Sequence, residues 1–205
     1  MDVKLVVWDF DGVLNRNIID EEFIWTRTFE RDWGQPVGAF QRFMFGADFD
    51  RVITGRQDLR ARIKDWLQMV ASERSPEEFM AYWFQHDYCP DIELLALVGR
   101  LANAGKRQVI LTNNEAHRAR FIAQQPEVKN RFERIFASGE LGVAKPDHAV
   151  YQLVADRCAS VTSEILLIDG MPANVLAARC CGWQALQFRQ DCREDVIARL
   201  SAMLG

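Results

Sequence analysis

The segment Leu5-Val6-Val7-Trp8-Asp9-Phe10-Asp11-Gly12 constrains this chain more than any other. A short apolar run ends abruptly in two carboxylates one residue apart, and a glycine comes next. Apolar runs of that length without alternation fit a strand buried on both faces, the strand type of a parallel sheet. Open sheets of this kind bind ligands beyond the carboxyl ends of their strands, where Asp9 and Asp11 fall. On extended backbone the two acidic side chains point one way and Phe10 the other. Like charges so close repel, and are tolerated when a cation lies between them or one carries a proton. Asp and Gly after a strand are also ordinary turn chemistry, so the pair gains meaning only from residues further along the chain.

Four more runs read as buried strands: Gln108 to Thr112, Arg134 to Ala137, Ile165 to Asp169 and Gln184 to Phe188, with the first spanning Leu5 to Phe10. Helical spacing lies between the last four strands and ahead of them. Asp91 to Ala104 stops at Gly105, His148 to Ala159 comes later, and Ala173 to Cys181 stops at Gly182. This alternation predicts an α/β fold with a doubly wound, Rossmann-like parallel sheet. The first strand and the second are separated by about a hundred residues that show no convincing strand. Within the gap Asp20 to Trp33, Val37 to Phe45, Asp58 to Ala71 and Pro76 to Phe84 read as helices. Ser75-Pro76-Glu77-Glu78 is a helix start, with Ser75 as cap and proline in the first turn. The organisation predicted is an α/β core of residues 1–15 and 91–205, with an all-helical module of residues 16–90 inserted where it can cover the Asp-x-Asp end of the sheet.

Composition narrows the classes. A chain of 205 residues suffices for one α/β domain with an insertion, and a formal net charge of −4 points to neither nucleic acid nor an anionic membrane as partner. No apolar run approaches the roughly 20 residues of a membrane span. Asp2 and Lys4 ahead of the first strand predict no signal peptide. The cysteines, at positions 89, 158, 180, 181 and 192, are odd in number and fit neither a zinc site nor a disulfide framework, which predicts a reducing, cytoplasmic setting. Cys180-Cys181 reads as helix packing rather than redox chemistry. His86, His117 and His148 have no metal spacing, and Trp25, Trp33, Trp66 and Trp83 read as core of the helical module.

Three further elements give the Asp-x-Asp its context. The second strand ends in Thr112-Asn113-Asn114, whose hydroxyl and amides suit a phosphate oxygen, although the same residues are common helix caps. Next comes Gly142-Val143-Ala144-Lys145-Pro146-Asp147. Proline keeps Lys145 out of helix, on an extended segment where one ammonium could serve both a carboxylate and a phosphoryl group; the alternative is a solvated loop lysine. The fourth strand then delivers Asp169-Gly170, an aspartate that could complete a magnesium site.

Asp-x-Asp, Thr, Lys and Asp, each at or just beyond a separate strand end and in that order, resemble the haloacid dehalogenase-like hydrolase superfamily. The match covers nearly the whole chain, and the helical insertion looks like that superfamily's cap. The resemblance implies that Asp9 is the nucleophile and Asp11 the general acid/base. Thr112 and Asn113 would bind phosphate, and Lys145 would stabilise both nucleophile and phosphate. Magnesium would be held by Asp9, Asp11 (through its main-chain carbonyl) and Asp169. The dehalogenases themselves lack the second aspartate, so Asp11 points to phosphoryl transfer. Asn174-Val175 through Ala178, with Lys145-Pro146-Asp147, looks like the sugar-phosphate and epoxide-hydrolase-like phosphatases of the superfamily.

The expected activity is therefore magnesium-dependent hydrolysis of a small phosphorylated metabolite, a sugar phosphate or similar, through an aspartyl-phosphate. Asp11 would begin protonated, with Asp9 nearby raising its pKa. The fourth motif departs from the group, reading Asp169-Gly170 where Asp-Asp is usual. That departure leaves a weakly active or non-catalytic binding protein on the same fold as one alternative; a phosphomutase, which passes the aspartyl-phosphate to a second substrate hydroxyl instead of water, is the other, since sequence does not separate it from a phosphatase. Candidates for the substrate pocket are Arg16 and Asn17 near the hinge, Phe45-Gly46-Ala47-Asp48, and Thr54-Gly55-Arg56, against the ordinary alternative of solvated surface. Sequence does not indicate an oligomeric state.

Overall fold

The computed structural model describes residues 3–204; Met1, Asp2 and Gly205, and with them the expectation drawn from Asp2, lie outside the described residues. In chain order the first half comprises β1 (Leu5–Trp8), β2 (Ile18–Ile19), β3 (Glu22–Phe23), α1 (Thr26–Trp33), α2 (Val37–Met44), α3 (Phe49–Ile53), α4 (Leu59–Met69), α5 (Pro76–His86) and α6 (Ile92–Asn103). The second half comprises β4 (Arg107–Thr112), α7 (Ala116–Gln124), β5 (Arg134–Ala137), α8 (Ser138–Leu141), α9 (His148–Arg157), β6 (Ile165–Asp169), α10 (Pro172–Cys180), β7 (Gln184–Gln187) and α11 (Arg193–Ser201).

The five expected strands form one parallel sheet in the order β5-β4-β1-β6-β7. Side-chain alternation explains why these runs are apolar throughout. Val6 and Trp8 of β1 enter one core with Ile110 of β4 and Ile168 of β6. Leu5 and Val7 enter the opposite core with Val109, Leu111 and Leu167. Helices α6 and α11 cover the first face through Leu94, Val98, Val196 and Leu200. Helices α9 and α10 cover the second through Val150, Tyr151, Val154 and Ala178. A strand buried on both faces has no solvent side on which to place polar residues. Gln108 is the exception in β4, and its Oε1 accepts a hydrogen bond from Trp8 Nε1 at 2.7 Å.

The register places the chemistry. Trp8 pairs with Ile110 on one side and Ile168 on the other, so β1, β4 and β6 end almost level. Asp9 N donates to Ile168 O at 2.8 Å, which brings Asp9 beside Asp169 at the central strand ends.

The chain leaves and re-enters the core through paired backbone. Arg16 N donates to Cys89 O at 2.7 Å, and Asp91 N to Leu14 O at 2.8 Å. Between these points residues 23–84 build a third hydrophobic cluster, dominated by Trp25, Phe29, Phe40, Trp66, Phe79 and Trp83. The aromatic rings meet mostly edge to face; Phe40 alone contacts Trp25 at 5.6 Å, Phe29 at 5.0 Å and Phe79 at 5.0 Å. Ser75 forms a full capping box with Glu78 at the start of α5.

Several local readings change. The helix expected from Asp20 begins instead at Thr26, after a short antiparallel ribbon that pairs Ile18 with Phe23 and Ile19 with Glu22. Asp20 and Glu21 take φ values of 52° and 65° at its turn, a left-handed pair that suits a two-residue hairpin and excludes helix. Helices α3, α7, α8 and α11 fall outside the ranges read from apolar spacing. In α7 the reason is visible: its buried face includes Arg118, which is paired with carboxylates rather than chosen for hydrophobicity. Cys181 packs at the edge of the second core, whereas Cys180 is exposed.

One close approach joins the helical segment to the sheet layer. A Cβ on Gly55 would lie 2.2 Å from Gly139 O, and one on Gly139 would lie 2.7 Å from Glu115 Cα. Backbone meets backbone there, so both positions require glycine.

The aromatic cluster yields a stability prediction. Phe40 is fully buried at its centre, so Phe40→Ala should lower unfolding free energy by about 3–5 kcal/mol, and Phe40→Leu by clearly less. Urea unfolding of the two variants beside wild type measures this.

Candidate active site

The site grows from the carboxyl ends of β1, β4 and β6. Lys145, carried on the loop after α8, sends its ammonium between two of these ends. Its Nζ lies 2.9 Å from Asp9 Oδ1 and 2.6 Å from Asp169 Oδ2. The lysine backbone is held as firmly: Lys145 N donates to Asn113 Oδ1 at 2.9 Å, and Asn113 Nδ2 donates to Lys145 O at 2.7 Å. Asn113 thus fixes the loop that carries Lys145, and its side-chain amide is spent there rather than left for a phosphate.

Asp169 is completely buried and fully engaged. It accepts from Lys145, from Met171 N at 2.8 Å, and from Asn174 Nδ2 at 3.0 Å and 3.1 Å on its two oxygens. Asp9 is less committed: Oδ1 accepts from Phe10 N at 2.7 Å and meets Lys145, while Oδ2 has no hydrogen-bond partner among the described residues. Burial pushes the Asp9 pKa up to about 7, with help from the Asp169 charge and against the pull of Lys145. Burial works to lower the Lys145 pKa, but the two carboxylates outweigh it and hold the ammonium charged.

Asp11 sits in a second network. Its Oδ1 accepts from Asn15 Nδ2 at 3.0 Å, Asn17 Nδ2 at 2.9 Å and Arg118 at 2.8 Å, and its Oδ2 from Asn114 Nδ2 at 2.8 Å. Burial alone would raise its pKa, yet Arg118 and the asparagine amides outweigh that and hold it below the usual carboxylate value. This corrects the expectation of a raised pKa. Donors from four side chains, brought together by folding, outweigh the repulsion from Asp9. Arg118 also meets Asp87 Oδ2 at 2.7 Å, so one guanidinium serves two buried carboxylates. Asp87 is pushed up to about 7, chiefly by burial and further by Asp11.

Thr112 is buried at the end of β4, and its Oγ1 accepts from Asn114 Nδ2 at 2.6 Å. Because that bond fills a lone pair, the hydroxyl proton remains free to be donated. Asn114 therefore ties Thr112 to Asp11.

Beside Asp11 opens a cavity of about 120 Å³. Its polar wall is Asp11, Asp87, Asn113, Asn114, Glu115 and Arg118. Of the pocket candidates, Phe45 lines it. Arg16 and Arg56 are exposed and do not line it among the described residues. Asn17 is fully buried, and its Oδ1 accepts from Gly12 N at 3.1 Å while Nδ2 donates to Asp11 and to Asp87 at 2.9 Å. It shapes the Asp11 loop instead of facing the cavity. Gly46, Ala47, Asp48, Thr54 and Gly55 are likewise absent from the wall, and Asp48 is paired with Arg62 at 2.8 Å.

The reading from sequence missed Arg118, Asp87 and Asn15 as members of the site, and placed Asn114 at the phosphate end of β4 without its bond to Asp11. Asn15 and Asn17 lie four and six residues beyond Asp11 in an apolar stretch, a signal available in the sequence. Asp87 and Arg118 carry no such signal, because they meet Asp11 only across the fold.

Comparison with known proteins identifies the family of the chain. The family model for haloacid dehalogenase-like hydrolases matches residues 3–182. Phosphatase MT3486 of Mycobacterium tuberculosis is 29% identical in an alignment covering 100% of this chain and 96% of the relative. Among solved structures, a HAD-family enzyme of Bacteroides thetaiotaomicron, in complex with magnesium and inorganic phosphate, superposes with a TM-score of 0.75 at 19% identity, covering 91% of this chain and 94% of that one. An L-2-haloacid dehalogenase of Xanthobacter autotrophicus superposes with a TM-score of 0.66 at 18% identity, covering 98% and 86% of the two chains. These structures share the fold, and the family match spans most of the sequence: the chain belongs to the haloacid dehalogenase-like hydrolases.

Proposed function

We propose that this hydrolase is a magnesium-dependent phosphatase that cleaves a small phosphate monoester through an aspartyl-phosphate on Asp9. The observation that carries the reading is the contrast between the two neighbouring carboxylates. Asp9 keeps an uncommitted oxygen beside Lys145, while Asp11 is held anionic by Arg118 at the cavity wall. Environments that push two titratable groups apart assign them different chemical tasks. The phosphatase relative and the magnesium and phosphate bound by the Bacteroides enzyme support the same class.

The donor set accommodates magnesium in one form. Magnesium takes hard oxygens, commonly one or two carboxylates with water and substrate phosphate. Among the described residues no three acidic, histidine or cysteine side chains form a metal cage. Asp11 is turned to its amide and guanidinium donors, and Asp169 is filled by Lys145 and Asn174. Asp9 Oδ2 is the open carboxylate oxygen, so Asp9 would hold the ion with the Asp11 main-chain oxygen, and Asp169 through water. Bound there, the cation would offset the charge of phosphate and favour the anionic form of Asp9.

In the first step Asp9 forms a bond to phosphorus as the phosphorus–oxygen bond to the substrate alcohol breaks. Lys145 and the Thr112 hydroxyl face the charge that spreads over the phosphoryl oxygens. In the second step water attacks the phosphorus of the aspartyl-phosphate, the phosphorus–oxygen bond to Asp9 breaks to free its carboxylate and inorganic phosphate, and the water gives a proton to Asp11, a base role that matches the carboxylate Arg118 maintains. The departing alcohol needs a proton in the first step; Asp11 can give it after taking one from a monoprotonated phosphate. Residues 16–90 act as a cap over the α/β core of residues 1–15 and 91–205, held by the close approach of Gly55 to Gly139.

Gly170 does not exclude this function. Its φ is not in the left-handed region, and a Cβ there would lie 3.4 Å from Phe188 O, so aspartate could be built without backbone strain.

Phosphate release with saturating magnesium tests the proposal. Asp9→Asn keeps the shape but lacks the anionic nucleophile, and turnover should fall by several orders of magnitude; near wild-type rates would refute the mechanism. Asp11→Asn should lose about a hundredfold or more with an alkyl phosphate and much less in the first step with an activated aryl phosphate. Gly170→Asp adds a hard anionic oxygen beside the ion, so magnesium titrated into the folded variant by calorimetry should bind more tightly than to wild type.

A further inference from the structure

We infer that the organic part of the substrate is apolar: an alkyl, prenyl or aromatic alcohol esterified to phosphate, not a sugar. The inference rests on the phosphatase reading and narrows its substrate class. Besides the polar residues the cavity is lined by Phe23, Trp25, Phe45, Phe49, Trp83 and Phe84. Ile53 and Leu59 complete this side, so every lining residue contributed by positions 23–84 is apolar or aromatic.

The polar atoms of the lining compensate only in part: Asp87 Oδ1 and Trp83 Nε1 are its buried side-chain atoms without a partner, one acceptor and one donor, fewer than the hydroxyls of a sugar. Arg118 is divided between Asp11 and Asp87, Asn113 is spent on the Lys145 backbone, and Asn114 donates to Asp11 and Thr112. The Glu115 carboxylate caps α7, accepting from the amides of His117 and Arg118. Hydroxyls of a sugar entering this space would leave water and find few partners, a loss that buried polar groups do not tolerate. An apolar group loses nothing there and releases the water that covers the rings.

Size sharpens the class. A dry cavity of about 150 Å³ with apolar walls holds a benzene-sized guest, and the cavity here is about 120 Å³. An apolar group of roughly five or six carbons therefore fits beside Asp11. Arg16 and Arg56, the cationic residues among the pocket candidates, are exposed and outside the lining.

The test uses the full chain with magnesium. In calorimetry, benzylphosphonate should bind on the order of a hundredfold more tightly than methylphosphonate, since full burial of a phenyl-sized group is worth roughly ten- to a hundred-and-fiftyfold. In turnover, kcat/KM for benzyl phosphate should exceed that for glucose 6-phosphate by a similar factor. Phe45→Ser should cut the benzyl preference about tenfold and Phe45→Leu should retain most of it, with circular dichroism confirming that both fold. No benzyl preference in calorimetry, absence of binding by either phosphonate included, overturns the inference. So does a kcat/KM for glucose 6-phosphate equal to or above that for benzyl phosphate, while leaving the phosphatase reading intact. Failure to hydrolyse any ester, p-nitrophenyl phosphate included, with the benzyl preference retained, overturns the phosphatase reading and upholds the apolar ligand class.

Discussion

The Lys145 ammonium between Asp9 and Asp169 is the contact on which the site depends. Parallel strands that end almost level bring Asp9, just past β1, and Asp169, at the end of β6, side by side in a buried place. Left alone, those charges would repel and one would be neutralised by a proton. A single buried cation, fixed through its backbone by Asn113, makes the arrangement tenable while leaving one oxygen of Asp9 open. Removing one partner from such a buried ion pair costs about 3–5 kcal/mol, because the other charge is left uncompensated. The same contact that permits the fold to bury two acids thus prepares one of them for chemistry.

A second cation repeats the solution a few residues away. Arg118 binds Asp11 and Asp87, joining the loop after β1, the end of the helical segment and α7. Asn15 and Asn17 reinforce this junction: Asn15 donates to Asp87 O at 2.8 Å and Asn17 to the Asp87 carboxylate. The position of the helical layer and the charge of Asp11 are therefore set by one network. A change in how that layer sits would alter the pairing of Arg118, and with it the acid–base character of Asp11.

The helical layer divides its aromatic residues between two tasks. Phe40, Phe29 and Phe79 are wholly internal and hold the layer together. Trp25 and Trp83 belong to the same cluster yet also line the cavity, so they are core and pocket wall at once. An apolar interior that opens at one edge becomes an apolar binding surface with no additional residue type required. The Gly55–Gly139 approach then presses that edge against the strand ends.

The sequence alone determined the strands, their parallel character and the residues at their ends. Doubly buried strands leave an unmistakable apolar run, and an acid that interrupts it at the carboxyl end stands out. Asp9, Asp11 and Asp169 stand out for that reason; Thr112 and Lys145 stand out only through the order of the four motifs, and the cap of α5 through the Ser75-Pro76-Glu77-Glu78 pattern. Tertiary structure alone decided how those residues are charged and what faces them. Arg118 lies in α7 and Asp87 just past the end of α5, both far from Asp11 in the chain, and neither their burial nor the network they form with Asp11 leaves a periodic trace. The same holds for the pocket: Phe45 and Trp83 look like core residues in sequence, Arg16 and Arg56 look like binding residues, and packing reverses part of that assignment. Local pattern records which face of an element is buried; which buried face borders the reaction is decided by the contacts that close the helical layer over the sheet.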